Sequence, residues 1–398
     1  MQAGLAPQPR APLVGVVNAG SSSVKFALFE GEARLLSAQV DGIGVRPAAR
    51  AKGAAGEPIA PPPLGPTPKS PAAVMPALFA WLRERLGGRR LDALGHRVVH
   101  GGLRHARPER VTPALVAELE ALIPLAPLHE PHNLAPIRAA TALDPALPQV
   151  ACFDTAFHRS APDVAQAFAL PLAMFEEGIR RYGFHGLSYE YIAGALPALS
   201  PRLAAGRCVV LHLGNGASAC AMRGGVSVAT TMGFTALDGL PMGTRCGALD
   251  AGVVLHLLQQ KGMDAQAVQD LLYRRSGMLG LSGGISSDFR DLLASKDPRA
   301  AFAVEVFCHH AARQVASLAA AMGGLDGIVF TAGVGENAAP VRARIAEGCG
   351  WLGLDLDEDA NARHGPHISA DRSALEAWVV PTDEERMIAR HTAALIAG

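Results

Sequence analysis

One pattern occurs near the start of each half of the chain: an apolar run, a short tip of glycine and small polar residues, and a second, alternating run. In the first half it reads VVNAGSSSVKFALF, at 16–29, and in the second CVVLHLGNGASACAM, at 208–222. Both predict a strand, a hairpin tip and another strand, with the second strands at 24–29 and 219–228. Such a repeated pattern indicates an internal duplication, in which each half folds as one α/β domain.

The length of the chain supports that division, because 398 residues exceed what one hydrophobic core usually serves. Helical periodicity is found at 73–86, 113–123, 248–261, 265–273 and 300–322. Helices that alternate with strands are typical of α/β folds. Residues 46–76 are so rich in proline, alanine and glycine that we expect a surface loop there, with no packed core element.

Charge and composition limit the partners. Lysine and arginine together number 36, as do aspartate and glutamate, so the formal net charge is zero. We expect a small-molecule partner, with no nucleic acid and no membrane, because a basic surface is lacking. The six cysteines lack zinc-site or disulfide spacing, and neither a signal peptide nor an apolar stretch of about 18 residues is found. We therefore expect a soluble, cytoplasmic protein.

The first hairpin tip has the chemistry to bind a phosphate group. Backbone N–H groups beside Gly20 can approach an anion closely, and Ser21, Ser22 and Ser23 add hydroxyl donors. In an alternating strand Ser23 and Lys25 point to the same side, so a hydroxyl and an ammonium can meet one oxyanion. The tip is not a P-loop, because a strand follows it. A solvated serine-rich turn is the alternative.

Two further glycine-bearing segments follow buried strands: GNGAS at 214–218 and AGVGEN at 332–337. We expect the second to run from a strand through a Gly-x-Gly loop into a helix. Three such loops can surround one polyphosphate, with the N-terminal end of the helix after Asn337 aimed at the third loop. Each loop taken alone is equally consistent with a tight turn.

Cationic and imidazole side chains are set among glycines in GHRVVHGG, YGFHG and MGTRCG. Glycine neighbours let a charged side chain reach a ligand, which makes Arg97, His185 and Arg245 candidates for a site. The alternatives are a buried ion pair for each arginine and a hydrogen-bonded core position for the histidine. For His100 we prefer the core interpretation.

Carboxylates supply the remaining candidates. Asp154 follows an apolar run at a predicted strand end, where ligand clefts of α/β sheets open, and a helix N-cap is its alternative. Glu384 fits either a magnesium contact or a charge at a helix N-terminus. The segment SSDFRD could hold a nucleobase or ribose through Asp288, Phe289 and Arg290, or it could start a helix.

Ten motifs occur in one order from Val16 to Arg386: NAGSSSVKF, GHRVVHGG, LAPLHEPHN, FDTAFH, RRYGFHGLS, HLGNGAS, MGFTALDGLPMGTRCGALD, SSDFRD, FTAGVGEN and PTDEE. Together they resemble the acetate kinase family, of the sugar-kinase, heat-shock chaperone and actin-like ATPase superfamily. The resemblance implies a duplicated ribonuclease-H-like (actin-like ATPase) fold, with two domains around a nucleotide cleft. The domains implied are 1–155 with 386–398, and 156–385, which carries most of the nucleotide site.

The activity implied by the resemblance is reversible, magnesium-dependent transfer of the ATP γ-phosphoryl group to acetate, by direct in-line displacement. The products are acetyl phosphate and ADP, Mn²⁺ can take the place of Mg²⁺, and the protein is expected to be a homodimer.

The resemblance also implies roles for individual residues. Asp154, His185 and Arg245 resemble the catalytic residues of the family. Asn18 and Glu384 resemble its magnesium-associated pair. Arg97 resembles the carboxylate-binding arginine. The other substrate-binding positions implied are Val99, Leu128, His129, Phe184 and Ala236. The nucleotide-binding positions implied are Ser21, Ser23, Lys25, His212, Leu213, Gly214, Asn215, Gly216, Asp288, Phe289, Arg290, Gly333, Val334, Gly335, Glu336 and Asn337.

The implied reaction suits this set of side chains. Acetate is already ionised at neutral pH, so the site needs no strong general base and must supply positioning and positive charge. Arg97 can hold acetate bidentately. Asp154 is then expected to orient the metal shell or a water molecule rather than to abstract a proton.

The sequence departs from the family pattern at several positions. Ala236 stands where a proline is usual, which would enlarge the acyl pocket and makes a propionate or other short-chain acyl kinase the nearest alternative. Asp383 stands where asparagine is usual, and Glu130 and His132 stand where uncharged residues are usual.

Two different mechanisms are also compatible with parts of the pattern. A non-catalytic actin-like nucleotide switch would keep the glycine loops, but it has no reason to retain Arg97, His185 and Arg245 together. A phosphohistidine relay would be supported by retention of configuration at the transferred phosphorus.

Overall fold

The computed structural model describes residues 10–65 and 67–397. The chain divides into two compact units. The first unit ends at Ala156 and resumes at Asp383, and the second unit is Phe157–Thr382. Each unit is built around one β-sheet.

Thirteen strands are present among the described residues. They are β1 (Leu13–Ala19), β2 (Val24–Glu30), β3 (Ala33–Asp41), β4 (Ala48–Gly53), β5 (Pro58–Ile59), β6 (Ala93–Val98), β7 (Glu109–Arg110), β8 (Gln149–Phe153), β9 (Arg207–Leu213), β10 (Ala217–Arg223), β11 (Val226–Thr230), β12 (Gly327–Thr331) and β13 (Glu376–Val379).

The α-helices of the described residues are α1 (Met75–Arg85), α2 (Pro113–Ala121), α3 (Glu130–Leu143), α4 (Asp163–Gln166), α5 (Leu172–Glu176), α6 (Gly186–Leu199), α7 (Pro201–Ala205), α8 (Ala251–Gln259), α9 (Ala265–Arg274), α10 (Gly277–Leu281), α11 (Phe289–Ala294), α12 (Pro298–Met322), α13 (Ala332–Asn337), α14 (Ala339–Gly348), α15 (Glu358–Ala362) and α16 (Glu384–Ala397). Short 3₁₀ turns lie at Pro71–Val74, Ile123–Leu125, Ala156–Ser160 and Gly350–Leu352.

The two sheets share one topology. In the first unit the strand order is β5-β4-β3-β2-β1-β6-β8-β7, and in the second it is β11-β10-β9-β12-β13. In each, three consecutive strands form an antiparallel meander. The first of them pairs in parallel with the next long strand, and that strand pairs in parallel with one more. The common order 3-2-1-4-5 confirms the predicted duplication and the α/β class.

The central strands of both sheets are apolar because both of their faces are covered. All seven residues of β1 are buried, as are all five of β12. In the first unit, α16 packs on β1 and β6. A Cβ atom at Gly95 would lie 2.6 Å from Ile388 Cγ2 and 2.4 Å from Thr392 Oγ1, so glycine permits this close approach. The packing of α16 on β6 fixes the helix that begins with Glu384.

The long helix of the second unit, α12, starts and ends where its sequence predicts. Asp297 caps its N-terminus by accepting the N–H of Arg299, and Pro298 occupies the first turn. Gly323 ends it in the left-handed conformation, with φ of 70°. One face of α12, from Ala300 to Met322, is buried.

The structure corrects three expectations about local structure. Residues 46–76 are not one surface loop: they contain β4 and β5, with Ala51 buried, and they end in the buried Val74 and Met75. The strand β4 is joined to β3 and β5 by backbone hydrogen bonds and has few apolar side chains, so composition concealed it. The single strand predicted at 219–228 is two strands, β10 and β11, with a turn at Gly224 and Gly225.

The third correction concerns AGVGEN. No Gly-x-Gly loop follows β12, because the residues from Ala332 to Asn337 form the helix α13 directly after the strand. Ala332 accommodates this abrupt change with a φ of 64°. No helix of residues 10–65 and 67–397 is both long enough and apolar enough to cross a membrane.

Candidate functional site

Arg97 is the centre of a charged cluster in the first unit. It is the penultimate residue of β6, and Asp154 follows the neighbouring parallel strand β8. Arg97 Nε donates to Asp154 Oδ1 at 2.9 Å, and Nη2 donates to Oδ2. Asp154 is only 1% exposed, and its N–H bonds to the carbonyl of Val98. The bidentate ion pair therefore fixes the plane of the guanidinium.

Asn18 and Glu384 flank the same guanidinium. Arg97 Nη1 donates to Asn18 Oδ1 at 3.3 Å, and Arg97 Nε lies 3.9 Å from Glu384 Oε2. Burial disfavours the charged guanidinium, but the carboxylates of Asp154 and Glu384 outweigh it, so the pKa of Arg97 is raised above its usual value. The cluster thus holds one permanent cation among several oxygen atoms.

The donor set around Arg97 fits a magnesium ion. One amide oxygen, from Asn18, and one carboxylate, from Glu384, are hard oxygen ligands. Magnesium keeps several water molecules and binds substrate phosphates, so it needs few protein ligands. Among the described residues no cluster of three or more histidine, cysteine, aspartate or glutamate side chains offers a closed metal cage.

The ion pair alters what Arg97 can do with a carboxylate ligand. Its Nε and Nη2 atoms are both engaged by Asp154, which occupies the edge expected to hold acetate. In this structure bidentate binding of acetate through that edge is excluded, because the edge already carries a carboxylate. Asp154 leaves the second N–H of Nη2 and both N–H groups of Nη1, and Nη1 donates to Asn18 Oδ1. The structure thus has the buried ion pair that was the alternative for Arg97.

The serine-rich tip is the predicted hairpin. Gly20 N–H bonds to the carbonyl of Ser23 at 2.8 Å, and Asn18 pairs with Lys25 across the ladder. Ser21 and Lys25 are exposed, and Ser23 is half-buried, so the tip is accessible to a ligand. A Cβ atom at Gly20 would lie 3.4 Å from Ser23 Oγ and 3.9 Å from the carbonyl oxygen of Ser23, so the loop itself does not demand glycine there.

Acidic residues at the start of α16 lie close to Lys25. Burial raises the pKa of Glu385, with the charge of Glu384 acting in the same direction and Lys25 against it. The unusual Asp383 has a structural explanation, because it accepts from Arg34 Nη2 at 2.5 Å and from Arg386 Nε at 3.1 Å.

Three separate segments meet at Gly216 in the second unit. A Cβ atom at this position would lie 2.7 Å from Arg245 Nη2 and 3.2 Å from His185 Nε2. Glycine is therefore needed for the guanidinium and the imidazole to approach the GNGAS tip. Arg245 is held from its other end, since Nη1 donates to the carbonyl of Ala236 at 2.6 Å. The structure thus brings together residues that the sequence placed in three different motifs.

His185 is held in a costly backbone conformation. Its φ of 58° is left-handed, which is uncommon for histidine and is found where surrounding contacts enforce it. Its Nδ1 bonds to Ser218 Oγ at 2.8 Å, and its ring stacks on that of His212 with centroids 4.1 Å apart. Tyr189 OH bonds to the same serine oxygen at 2.5 Å.

A second chain of hydrogen bonds supports His212. Its Nδ1 bonds to Ser188 Oγ at 2.9 Å, and that hydroxyl donates to Thr382 Oγ1 at 2.8 Å. The N–H of Thr382 in turn donates to Glu336 Oε1 at 3.2 Å. Sequence reasoning did not select Ser188, Ser218 or Tyr189, although two of them lie in the motifs GFHGLS and GNGAS. The sequence signal that could have identified them is a hydroxyl residue shortly after a candidate histidine or a glycine-bearing tip.

The other residues of the GNGAS segment divide by burial. Leu213 is fully buried in β9 and pairs with Ala217, so its side chain belongs to the core. Gly214 N–H closes the tip on the carbonyl of Gly216 at 3.1 Å. Asn215 is exposed, and its carbonyl accepts the N–H of Gly243 at 3.1 Å.

The segment predicted to hold adenosine is the start of a helix. Asp288 caps α11 by accepting the N–H of Arg290 at 2.8 Å, and the Arg290 side chain returns to the same carboxylate. Phe289 is 6% exposed and packs edge-on against Phe307. This corrects the expectation that Phe289 stacks on a base, because an aromatic residue after a cap can equally face the core. Asp288 and Arg290 remain accessible to a ligand.

The helix α13 is fixed by a buried arginine, which the sequence did not reveal. Arg342 is 0% exposed, and its Nη1 donates to the carbonyls of Gly335 at 2.8 Å and Glu336 at 3.0 Å. Nε and Nη2 donate to Asn361. Burial lowers the pKa of Arg342 to about 10. Gly333 and Asn337 are exposed on α13, and Val334 and Glu336 are half-buried.

The acyl-pocket candidates are distributed over both units. Val99 is buried after β6, and Leu128 and His129 are half-buried just before α3. Phe184 is 2% exposed, and Ala236 is half-buried. As the core interpretation predicts, His100 is buried, and its Nδ1 accepts the N–H of Gly102 at 2.9 Å.

Comparison with known proteins gives one consistent result. The model of the Acetokinase family matches residues 13–390. The acetate kinase of Nitrobacter hamburgensis is 54% identical over 387 residues, which cover 96% of this chain and 95% of the relative. The acetate kinase of Rhodopseudomonas palustris is 52% identical over 385 residues, 94% of this chain and 96% of the relative.

Solved structures agree with the sequence relatives. A propionate kinase from Francisella tularensis superposes with a TM-score of 0.88 at 34% identity, covering 96% of this chain and 99% of that one. The acetate kinase of Porphyromonas gingivalis gives a TM-score of 0.86 at 35% identity, covering 98% of this chain and all of that one.

Proposed function

Because this chain belongs to the acetokinase family, we propose that it transfers the γ-phosphoryl group of ATP reversibly to acetate, forming acetyl phosphate and ADP. The chain is an enzyme, and the alternative of a non-catalytic nucleotide switch is abandoned. The observation that carries the proposal is the meeting of His185 and Arg245 at Gly216, in the GNGAS tip. An idle nucleotide-binding protein has no use for a cation and an imidazole held at that place.

The second unit supplies what the transition state of phosphoryl transfer needs. Negative charge spreads over the three equatorial oxygens of the transferred group, and fixed donors aimed at them lower the barrier. Arg245 supplies a permanent cation, and His185 supplies Nε2, since its Nδ1 is engaged by Ser218. The left-handed backbone of His185 and the stacked ring of His212 keep this donor from moving, so little reorganisation is needed during the reaction.

The first unit supplies the acceptor site. Acetate is ionised at neutral pH, so it needs an oriented cation rather than a base. Asp154 is too well engaged with Arg97 to take part as a proton acceptor, and we assign it the role of holding the guanidinium in place. Acetate then binds to the N–H groups of Nη1 and Nη2 that Asp154 leaves unoccupied.

Asn18 and Glu384 are the residues that would hold Mg²⁺ when it accompanies ATP. The ion supplies positive charge to the phosphate oxygens and orients them. The serine-rich tip and Lys25 lie beside Asn18 in the same unit and supply further donors to phosphate.

Acetate is the preferred acceptor over propionate in this proposal, because the curated relatives above 50% identity are acetate kinases. Ala236 favours the alternative, since a smaller side chain leaves room for one more methylene. That difference is worth only about 1 to 3 kcal/mol. The Francisella propionate kinase also has the same fold.

Trapping of acyl phosphate with hydroxylamine tests the function directly. The purified protein receives Mg-ATP with acetate, propionate or butyrate at equal concentration, and the hydroxamate is quantified. We expect acetate to lead, and an Arg245→Lys variant to lose most activity with all three acids. Propionate in the lead would assign the alternative substrate. No hydroxamate with any acid would overturn the proposed function.

A second copy of this chain is the partner we propose, and α8 carries the proposal. Its sequence, AGVVLHLLQ, is almost wholly apolar, yet none of its residues is buried. Val253 is 40% exposed, Leu255 53% and the preceding Leu249 43%. A helix that is apolar on all sides is normally covered, and two identical patches can cover each other around a twofold axis.

Light scattering with size-exclusion chromatography tests the homodimer. We expect the mass of a dimer for the native chain and of a monomer for Leu255→Glu. Val164→Glu, at an apolar position outside α8 that is still more exposed than Leu255, is the control and should remain dimeric. A native chain that elutes as a monomer at micromolar concentration would overturn this assignment.

A cytoplasmic location completes the proposal. All six cysteines are free, and five of them are buried. Unpaired cysteines are typical of proteins that stay in a reducing compartment.

A further inference from the structure

Glu130 is a buried carboxyl group without a cationic partner. It is the first residue of α3 and is 0% exposed. Its Oε2 accepts the N–H of His100 at 3.2 Å, and its Oε1 is buried without any hydrogen-bond partner. None of the described residues forms an ion pair with it. An ionised carboxylate in such surroundings is costly, whereas a protonated one is tolerated.

The first turn of α3 holds the backbone of the acceptor site. One turn after Glu130, Asn133 Oδ1 accepts the N–H of Val99 at 2.9 Å, and Nδ2 donates to the carbonyl of Ala19 at 2.7 Å. Glu130 and Asn133 therefore fix the chain just after Arg97 and just after Asn18. Arg97 belongs to the acceptor site described above, and Asn18 is one of the two residues proposed to hold Mg²⁺.

The charged groups around this turn come from several elements. The titratable residues on α3 and its flank, and on the elements packed against it, are His129, His132, Arg138, His96, Arg97, His100, Asp154, Glu118, Glu120, Arg83, Glu84 and Arg85. Of these, Asp154 is the one whose charge acts appreciably on Glu130. It is negative, so it opposes ionisation of Glu130 as burial does.

We propose that Glu130 is a positioning residue that works in its neutral, protonated form, and that its ionisation weakens the binding of acetate. The proposal rests on the proposed function, because it concerns the acceptor of that reaction. Burial raises the pKa of Glu130 to about 8, with the His100 N–H acting against this shift and Asp154 in its favour. Loss of the proton to solvent places a second negative charge beside Asp154, where the enzyme must bind an anion.

The expected signature is a pH dependence of acetate binding that the Glu130→Gln variant lacks. Glutamine keeps the acceptor for the His100 N–H but cannot ionise. In the native enzyme the KM for acetate should rise about three- to tenfold between pH 7 and pH 9.5, because the ionised Glu130 carboxylate repels the acetate anion. In Glu130→Gln the KM for acetate should stay constant over this range, while the KM for ATP follows the same course in both proteins.

A matched control comes from the same turn of α3. His132 is also titratable, and burial lowers its pKa, but it has no place in the machinery described above. His132→Gln should keep the rise of the acetate KM with pH. If Glu130→Gln shows the same rise as the native enzyme, the proposal is overturned.

Two readouts keep the test decisive. If Glu130→Gln does not fold, the infrared carboxyl C=O band of the native protein still reports on protonation at pH 7. With glutamate-specific isotope labelling, a band from a protonated glutamate supports the proposal, and its absence contradicts it. A native enzyme that forms no acetyl phosphate at pH 7 refutes the proposed function instead, while a pH-independent acetate KM in an active enzyme refutes only this inference.

Discussion

The two units share one strand order but differ in the chemistry of their candidate sites. In the first unit the candidates are charged and mutually paired: Arg97 lies against Asp154, with Glu384 nearby. In the second unit the strand β9 leads to a hydrogen-bonded network, in which His185 and His212 are held by serine hydroxyls. The duplication thus preserved the backbone frame and left the chemistry of each tip free to diverge.

The difference indicates how each site resists perturbation. A buried ion pair depends on both partners, and removal of one leaves an uncompensated charge. A hydroxyl–imidazole network spreads its contacts over several neutral groups, so that each contributes less. Substitutions that break the ion pair of Arg97 and Asp154 should therefore have the larger effects.

The largest effect is expected for Asp154→Asn. The Arg97 guanidinium loses its bidentate partner and its fixed orientation, so kcat/KM for acetate should fall by about 100- to 1000-fold, equivalent to roughly 3 to 4 kcal/mol. The KM for ATP should change little. Asp326→Asn, which breaks the exposed pair with Arg207, is the control. Near-normal turnover in Asp154→Asn would contradict the assigned role.

A smaller loss is expected for Gly216→Ala. The added Cβ would displace Arg245 Nη2, which is the end of a flexible side chain, so the protein should remain folded while kcat falls by about 10- to 100-fold. Gly194→Ala in α6 meets no atom within 4 Å and should leave kcat unchanged. If Gly216→Ala and Gly194→Ala had the same kcat, Arg245 would have no role in the reaction.

Arg342→Met tests whether the hydrogen bonds of the Arg342 side chain fix the helix α13. The carbonyls of Gly335 and Glu336 would lose their donor, which should cost about 2 to 4 kcal/mol of stability and raise the KM for ATP severalfold. The KM for acetate should not change. Unfolding by urea together with steady-state kinetics measures both effects. A raised KM for acetate with an unaltered KM for ATP would contradict this assignment of Arg342.

The pH dependence of stability tests the charge of Glu130 without any assay of activity. Its pKa is about 8 in the folded chain and near the ordinary value of about 4.5 when unfolded. Between these values only the folded state holds the proton, so the free energy of unfolding should decrease as the pH rises from about 5 to 8, and then level off. Glu130→Gln should lack this component, which amounts to about 3 to 5 kcal/mol. Parallel profiles would show that Glu130 is ionised throughout.

The smallest effect is expected for Asp383→Asn. This residue pairs with Arg34 and Arg386, which are about one-third exposed, and such pairs contribute about 1 kcal/mol or less. The free energy of unfolding should therefore fall by about 1 kcal/mol or less. The KM values for ATP and for acetate should remain within a factor of about three of the native values. A loss as large as that of Asp154→Asn would place Asp383 in the site itself.

Periodicity predicted the frame of the molecule well because it reports burial. The two hairpins, the duplication and the helix α12 follow directly from apolar patterns. Such patterns do not report on elements whose stability comes from backbone hydrogen bonds, which is why β4 was taken for a loop. AGVGEN was also misjudged, since glycines usually interrupt a helix and here they lie within one.

The site was predictable in its residue types but not in its contacts. The motifs singled out Arg97, His185 and Arg245, yet only three-dimensional structure reveals that Asp154 occupies the guanidinium edge. Arg342 could not be recognised, because a basic residue in an amphipathic helix normally faces solvent. Phe289 was misassigned for the converse reason: nothing local in the sequence decides whether a ring near a cap faces a ligand or the core.

Phosphorus NMR of the purified protein with Mg-ATP and acetate tests the central claim most directly. The account predicts that the γ-phosphate signal of ATP gives way to the signals of acetyl phosphate and of ADP, and that acetyl phosphate with Mg-ADP regenerates ATP. Formation of inorganic phosphate alone, or no turnover with acetate in either direction, would contradict it.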